Sequence, residues 1–164
     1  MPFASVAHIG ATAYINFRAA PFSKNLTQQT VSQTFQDSRG LLWFVTQEGL
    51  NKYNGVTLEN FKYSLTNPDS ISTNAVTRIA EDSAGDLWIA TKGGGLNRYD
   101  PISNSFHAIY AQGNSATSPL SNDIATIFLD SDGVLWLGYN NGFSSFDPSS
   151  GYFYHYTSET ANLP

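Results

Sequence analysis

The sequence predicts an all-β fold, a partial β-propeller with three four-stranded antiparallel blades and an N-terminal exchanged strand. Three copies of one phrase, each running from an Asp through a Gly to a Trp, support this prediction: residues 37–43, 82–88 and 130–136. The tryptophans are spaced by 45 and then by 48 residues. A repeat of about 40–50 residues, with short strands and a Trp in each unit, is typical of propeller blades.

Each repeat is predicted to begin with a strand that leads into a tight turn. The first strands are 31–37, 76–82 and 124–130, and each begins at a β-branched residue. In the Asp-Ser-x-Gly turn, the Asp can accept a hydrogen bond from the backbone two residues later, and the Gly can supply a positive φ. Residues 130–133 also resemble the start of a calcium loop, but no further acidic residues follow at loop spacing. A hairpin turn without a metal is therefore predicted.

The second strand is predicted to be the core strand of each repeat. It is apolar on both faces around the Trp, as expected for a blade that lies between two others. The second strands are 41–46, 87–91 and 134–139, and a glycine corner follows each of them. The third strands are 50–53, 96–99 and 143–146. The fourth strands contain Phe61, Phe106 and Phe153. The predicted blades are therefore about 26–64, 71–110 and 120–157.

The N-terminal region is predicted to add a single strand at 15–17, because its spacing to Leu26 matches that from Phe61 to Ile71. Such strand exchange commonly closes a propeller ring. The propeller is then expected to span 15–164 and to continue into further blades of a longer protein. Residues 1–14 end in a small-residue tripeptide, so they are either a signal-peptide remnant or a disordered tail.

Composition excludes several classes of function. The chain of 164 residues has no cysteine, so it has no disulfide framework and no thiol nucleophile. Its net charge is −5 and basic clusters are missing, which disfavours binding to nucleic acid or to anionic membranes. No apolar stretch is long enough to span a bilayer.

A partial propeller leaves unpaired strand edges and uncovered blade faces. The isolated chain is therefore expected to self-associate.

The repeats resemble those of the two-component regulator propeller family. Residues 36–46 with 48–55, and 81–91 with 93–101, carry the similarity, and the linker 67–72 is also typical of the family. The third repeat departs from the pattern, with Tyr139 in place of a Thr and 143–146 in place of Leu-Asn-x-Tyr. The resemblance covers nearly the whole chain from residue 15 onward.

This resemblance implies the periplasmic sensor region of a bacterial signalling protein. The family's output domains are histidine kinases or diguanylate cyclases, and several members detect oligosaccharides. The chain is therefore expected to be the N-terminal part of a periplasmic ligand-binding propeller. No cofactor and no enzymatic activity are expected in this segment.

Two other functions remain open. A propeller enzyme of the streptogramin-lyase type would need a His/Glu cluster around a magnesium ion, whereas His107 and His155 lie near the fourth-strand phenylalanines and are predicted to be solvated surface groups; His8 is the third histidine. The other possibility is a structural or adhesion propeller that binds no small ligand.

A ligand site is predicted on one face of the disc, where the loops between strands two and three meet the connections between blades. These loops differ among the repeats while the Asp-Ser-x-Gly turns on the other face stay the same, and variable loops on a constant scaffold suit recognition. Arg78, on an innermost strand, is predicted to line the central channel. The candidate ligand-binding residues are Gln47, Glu48, Arg78, Lys92, Tyr139, Asn140 and Asn141, and a small polar ligand or oligosaccharide would suit them. Asn74, Asn122 and Asp123 lie in the connections on the same face.

Overall fold

A computed structural model of the chain describes residues 23–158. A short 3-10 helix at Ser23–Asn25 precedes twelve β-strands. Blade one comprises β1 (Gln33–Gln36), β2 (Leu42–Thr46), β3 (Gly49–Tyr53) and β4 (Leu58–Phe61). Blade two comprises β5 (Val76–Glu81), β6 (Leu87–Thr91), β7 (Leu96–Asp100) and β8 (Ser105–Ile109). Blade three comprises β9 (Thr126–Leu129), β10 (Leu135–Tyr139), β11 (Gly142–Asp147) and β12 (Tyr152–Thr157). The predicted tail 1–14 and exchanged strand 15–17 lie outside the described residues.

The strands of each blade pair in chain order, and every pairing is antiparallel. The predicted partial β-propeller is therefore confirmed for the described residues. One difference lies at the first strands of blades one and three, which begin two residues later than predicted. The chain still runs alongside the second strand there, because Ser32 donates its backbone N–H to the Val45 carbonyl at 2.9 Å.

Two hydrophobic cores lie between neighbouring blades. In the first core, Trp43 of blade one meets Tyr99 of blade two edge-on, with ring centroids 5.0 Å apart. In the second, Trp88 of blade two meets Phe146 of blade three at 4.9 Å. Trp43 and Trp88 thus each pack against an aromatic residue of the next blade. Strand β6 is buried along its whole length because blade two has a neighbour on both faces.

The Asp of each turn also holds the Trp of its own repeat. The indole Nε1 of Trp88 donates to Oδ2 of Asp82 at 2.8 Å, and the corresponding distances in blades one and three are 3.0 Å and 2.6 Å. The other carboxylate oxygen of Asp82 accepts backbone N–H groups from Ala84 and Asp86. The predicted hairpin turn is therefore confirmed, and it fixes the Trp side chain as well as the backbone.

Blade three exposes one face that is rich in aromatic residues. Side chains of directly paired residues lie on the same face of a sheet. By this rule the register of β9 to β12 places six aromatic side chains together. We call this surface the open face: Phe128, Trp136, Phe143, Tyr152, Tyr154 and Tyr156. The opposite face of blade three packs against blade two in the second core.

Candidate functional site

Two adjoining depressions lie on the loop face of the disc, beside the innermost strands. The first depression, of about 330 Å³, lies between blades one and two, and the second, of about 270 Å³, lies between blades two and three. The first is lined by Ser32, Gln47, Ala75, Val76, Thr77, Arg78, Lys92 and Ala125. The second is lined by Thr77, Lys92, Asp123, Ile124, Ala125 and Asn140. The first reaches the lower end of the volume range of ligand sites.

Backbone hydrogen bonds between connections hold the rim of these depressions. Lys92 donates its backbone N–H to the Ala75 carbonyl at 2.8 Å, and the N–H groups of Gly93 and Gly95 both reach the Asn122 carbonyl at 3.0 Å. A Cβ on Gly94 would collide with the side chain of Ser72. The glycine-rich loop after β6 therefore allows close approach of the connections, and it positions Lys92 at the boundary of the two depressions.

A β-bulge in the innermost strand of blade two positions Arg78. The register of β5 against β6 shifts between Val76 and Arg78, so that Thr77 is the extra residue. Thr77 donates its hydroxyl to the Ile124 carbonyl of the next blade's connection at 2.8 Å. The Arg78 guanidinium donates to the Thr77 carbonyl at 2.8 Å. Bulges often redirect side chains next to functional sites.

The structure brings together four of the seven predicted site residues. Gln47, Arg78 and Lys92 line the first depression, and Lys92 and Asn140 line the second. Glu48 and Asn141 are exposed on the same loops but line neither depression.

Tyr139 is not placed as predicted. The sequence suggests a loop-face ligand contact, but Tyr139 is only 9% exposed and belongs to the second core. Its hydroxyl accepts the backbone N–H of Leu120 at 3.3 Å. Burial raises the pKa of the Tyr139 phenol.

Tyr139 is buried because the third repeat has a different residue at the position that binds the incoming connection in the other two repeats. In blade two, Asn97 accepts the N–H of Ser72 from the incoming connection, and Asn51 does the same for Thr27 in blade one. Blade three has Ser144 at this position, and Tyr139 binds the incoming connection instead.

Two other loop residues also have structural roles. The amide oxygens of Asn74 and Asn122 accept backbone N–H groups of Tyr63 and Ala111, both at 2.7 Å. Sequence reasoning missed Ser32, Thr77 and Ala125, which line the depressions. Their equivalent positions in the three repeats could have identified them, because each directly follows the β-branched residue at which the first strand of its repeat is predicted to begin.

The opposite, turn face carries a smaller depression of about 210 Å³ with several carboxylates. Among them, Asp82 and Asp147 accept hydrogen bonds within their own turns, and Asp86 pairs with Arg98. The hydrogen bond from Trp136, followed by that from the Val134 backbone, lowers the pKa of Asp130. Hydrogen bonds from Ser149 and Ser150 lower the pKa of Asp147 to about 2. Within residues 23–158, no group of three His, Cys, Asp or Glu side chains could hold a metal ion.

A charged cluster joins blades one and two on the side away from the loops. Lys52 Nζ lies 2.7 Å from a carboxylate oxygen of Glu59 and 2.8 Å from the Tyr99 hydroxyl. Burial opposes the charged form of Lys52, but the hydrogen bonds with Glu59 and Tyr99 outweigh it and raise the pKa. Likewise burial would raise the pKa of Glu59, but hydrogen bonds from Lys52 and Asn104 lower it. Lys52 is thus engaged in joining blades.

The histidines in the described residues lie on the outermost strands. His107 on β8 is exposed, as predicted. His155 on β12 is not a solvated group, because its Nδ1 lies 2.8 Å from the Ser144 hydroxyl and its Nε2 lies 3.0 Å from the Ser115 carbonyl. It connects its strand to the preceding linker. His8 lies outside the described residues.

No helix among residues 23–158 has the length and apolar character needed to cross a membrane.

Comparisons with known proteins agree with this architecture. Residues 70–93 and 118–141 match the two component regulator propeller family. The extracellular domain assigned to the hybrid two component system BT3049 from B. thetaiotaomicron is 32% identical with a TM-score of 0.73, and the match covers 82% of this chain and 19% of that chain. The chain thus spans about a fifth of that relative. No curated protein matches the sequence.

Two other solved structures share the fold. A catalytically inactive virginiamycin B lyase from Staphylococcus aureus, solved with quinupristin, is 24% identical with a TM-score of 0.54, covering 79% of this chain and 42% of that chain. The extracellular domain assigned to the one component system BT4673 from B. thetaiotaomicron is 15% identical with a TM-score of 0.52, covering 80% of this chain and 25% of that chain.

The fold and the repeats define a partial β-propeller. Two segments of the chain match two component regulator propeller repeats, and its similarity to BT3049 is to the extracellular domain of a hybrid two component system.

Proposed function

We propose that this chain is part of the periplasmic ligand-sensing propeller of a bacterial two-component signalling protein. In this proposal it binds an extracellular polar ligand, an oligosaccharide, on its loop face and passes the signal to a cytoplasmic output domain without catalysing a reaction. Repeats of the regulator propeller type and the likeness to an extracellular domain of a hybrid two component system support it.

The observation that carries the proposal is the contrast between the two faces of the disc. On the turn face, carboxylates such as Asp82 and Asp147 accept hydrogen bonds from their own turns. On the loop face, Gln47, Arg78 and Lys92 differ from their counterparts in the other repeats and converge on a depression. Polar side chains that converge in a concave surface are the ordinary form of a ligand site.

The position of the histidines argues against the lyase alternative. A propeller lyase would need a His/Glu cluster in the central region. His107 and His155 instead lie on β8 and β12, at the outer rim, whereas the depressions lie beside the inner strands. The similarity to virginiamycin B lyase is a similarity of fold.

The proposal is tested by calorimetric titration of the 164-residue chain with a set of oligosaccharides from plant and animal polysaccharides. We expect at least one of them to bind saturably, and the variant Gln47→Ala to weaken binding. Asp132→Asn on the turn face is the matched control, because it changes an exposed polar side chain far along the blade from the loops. If no oligosaccharide binds, or if both variants weaken binding equally, the loop-face proposal is wrong.

A further inference from the structure

The first depression is positively charged in a chain that is otherwise acidic. The whole sequence has 13 acidic residues against eight Lys and Arg. Nevertheless, the described residues that line the first depression include Arg78 and Lys92 and no carboxylate. Asp123 lines the second depression, on the other side of Lys92. A concave surface that carries charge of one sign attracts ligands of the opposite sign.

Neither basic side chain is neutralised by an acidic side chain of the described residues. Other basic residues do form ion pairs: Lys52 with Glu59 at 2.7 Å, Arg39 with Asp37 at 3.3 Å and Arg98 with Asp86 at 3.5 Å. Among residues 23–158, Arg78 and Lys92 have no such partner. One Arg78 nitrogen donates to the Thr77 carbonyl, which leaves further guanidinium N–H groups for a ligand.

Both cations are held on rigid parts of the chain. Arg78 follows the bulge at Thr77, which is itself hydrogen-bonded to blade three. Lys92 begins the glycine-rich loop, and its backbone is hydrogen-bonded to Ala75. The two backbone positions are thus set by inter-strand bonds, and a ligand would not need to order them. Such preorganisation favours affinity.

The depression also lacks an aromatic platform. Small-molecule sites are usually lined by hydrophobic and aromatic side chains, on which a neutral sugar ring can stack. No aromatic residue is among the described residues that line either depression, and Tyr139 is buried in the second core. Charge and hydrogen bonding are therefore what this site offers a ligand.

We propose that the first depression binds the anionic group of an acidic oligosaccharide, a sugar that carries a carboxylate or a sulfate. Arg78 binds the anionic group through its planar fork of donors, and Lys92 adds a second positive charge. Gln47 and Ser32 are placed to bind the hydroxyl groups of the same sugar. This inference rests on the proposed function, since it names the class of ligand for the same loop face.

Calorimetric titration of the 164-residue chain with trigalacturonate, a sulfated chondroitin disaccharide, neutral galactotriose and sodium sulfate tests the proposal. We expect the two acidic saccharides to bind at least tenfold more tightly than galactotriose, and this difference to shrink as the salt concentration rises. Arg78→Gln and Lys92→Gln should each weaken binding of the acidic saccharide by tenfold or more. Lys62→Gln is the control, because it removes one exposed positive charge that lines neither depression.

The outcomes separate this inference from the proposed function. Binding of galactotriose as tight as that of the acidic saccharides overturns the inference and leaves the sensor proposal standing. Equal effects of Arg78→Gln, Lys92→Gln and Lys62→Gln overturn the placement of the site. Sulfate alone binding as tightly as the saccharides shows a simple anion site and overturns the assignment to a sugar. Failure of every saccharide overturns both proposals.

Discussion

Blade two and blade three are built from the same repeat but differ in what covers them. Blade two lies between two neighbours, and its Trp88 is only 4% exposed. Among residues 23–158, blade three has a neighbour on one face only, and on its open face Phe128 and Tyr154 are 64% and 67% exposed. The Asp-to-Trp hydrogen bond is present in both. The comparison teaches that the repeat fixes the hairpin and the position of the Trp, whereas the next blade supplies the burial.

The largest expected effect that tests this comparison is the loss of a buried Trp. Trp88→Ala should lower the free energy of unfolding by about 3–5 kcal/mol, because it empties the space beside Phe146 between two blades. Trp136→Ala on the open face should cost only about 1–2 kcal/mol. Urea unfolding of both variants measures the difference. Equal losses would show that the neighbouring blade contributes little to the burial of the Trp.

The second prediction concerns the Asp that holds each turn. Asp82→Ala removes the acceptor of the Trp88 indole and of two backbone N–H groups in a site that is 7% exposed. We expect a loss of about 1–3 kcal/mol, since buried donors are left unpaired. Asp130→Ala should cost less, because water can reach the donors of blade three.

Denaturant unfolding of these two variants, beside Asp132→Asn as an exposed control, would measure this order. A larger loss for Asp130→Ala than for Asp82→Ala would contradict it.

The turns show how much of this fold could be predicted from the sequence. The Asp, Gly and Trp positions predict the three blades and nearly all strands, because hairpin chemistry is local. The Asp-to-Trp hydrogen bond was missed, although its constant spacing of six residues was visible. The starts of strands β1 and β9 were predicted two residues too early, since the start of a strand depends on its neighbour as well as on its own β-branched residues.

The site could be predicted only in part. Gln47, Arg78, Lys92 and Asn140 were grouped by loop position, and they line the two depressions, while their role in binding stays a prediction. Tyr139 was misplaced because blade three has Ser144 where the other blades have an Asn, so that Tyr139 binds the incoming connection instead. This exchange depends on a contact between distant parts of the chain. Likewise, no feature of the local sequence predicts the bulge at Thr77.

A third prediction uses the open face directly. We expect the isolated chain to self-associate, with a second copy covering Trp136, Phe143 and Tyr156, because contiguous exposed aromatic surface favours association. Tyr154→Ser combined with Phe128→Ser should shift the sedimentation coefficient towards the monomer. Ile102→Ser is the control, since this residue is 95% exposed but lies outside the open face.

A wild-type chain that sediments as a stable monomer at all accessible concentrations would count against this expectation. So would an equal shift in the Ile102→Ser control.

The smallest effect is expected from the turn of blade three at low pH. Hydrogen bonds from Ser149 and Ser150 hold the pKa of Asp147 at about 2, below its ordinary value. A carboxyl whose folded pKa is lowered stabilises the fold above its unfolded pKa, and this contribution disappears as the pH falls through the folded value. As the pH falls from about 4 to about 2, the midpoint temperature of thermal unfolding should therefore decrease more for the wild type than for Asp147→Asn. Parallel curves for the two proteins would contradict the assignment.

The shared position of Lys92 has a mechanical consequence. A ligand long enough to fill both depressions would touch Gln47 of blade one, Arg78 of blade two and Asn140 of blade three at the same time. Its affinity would then vary with the spacing of neighbouring blades. A molecule bound there would hold the three blades at a fixed spacing. Ligand binding would therefore reduce the motion of the blades relative to one another.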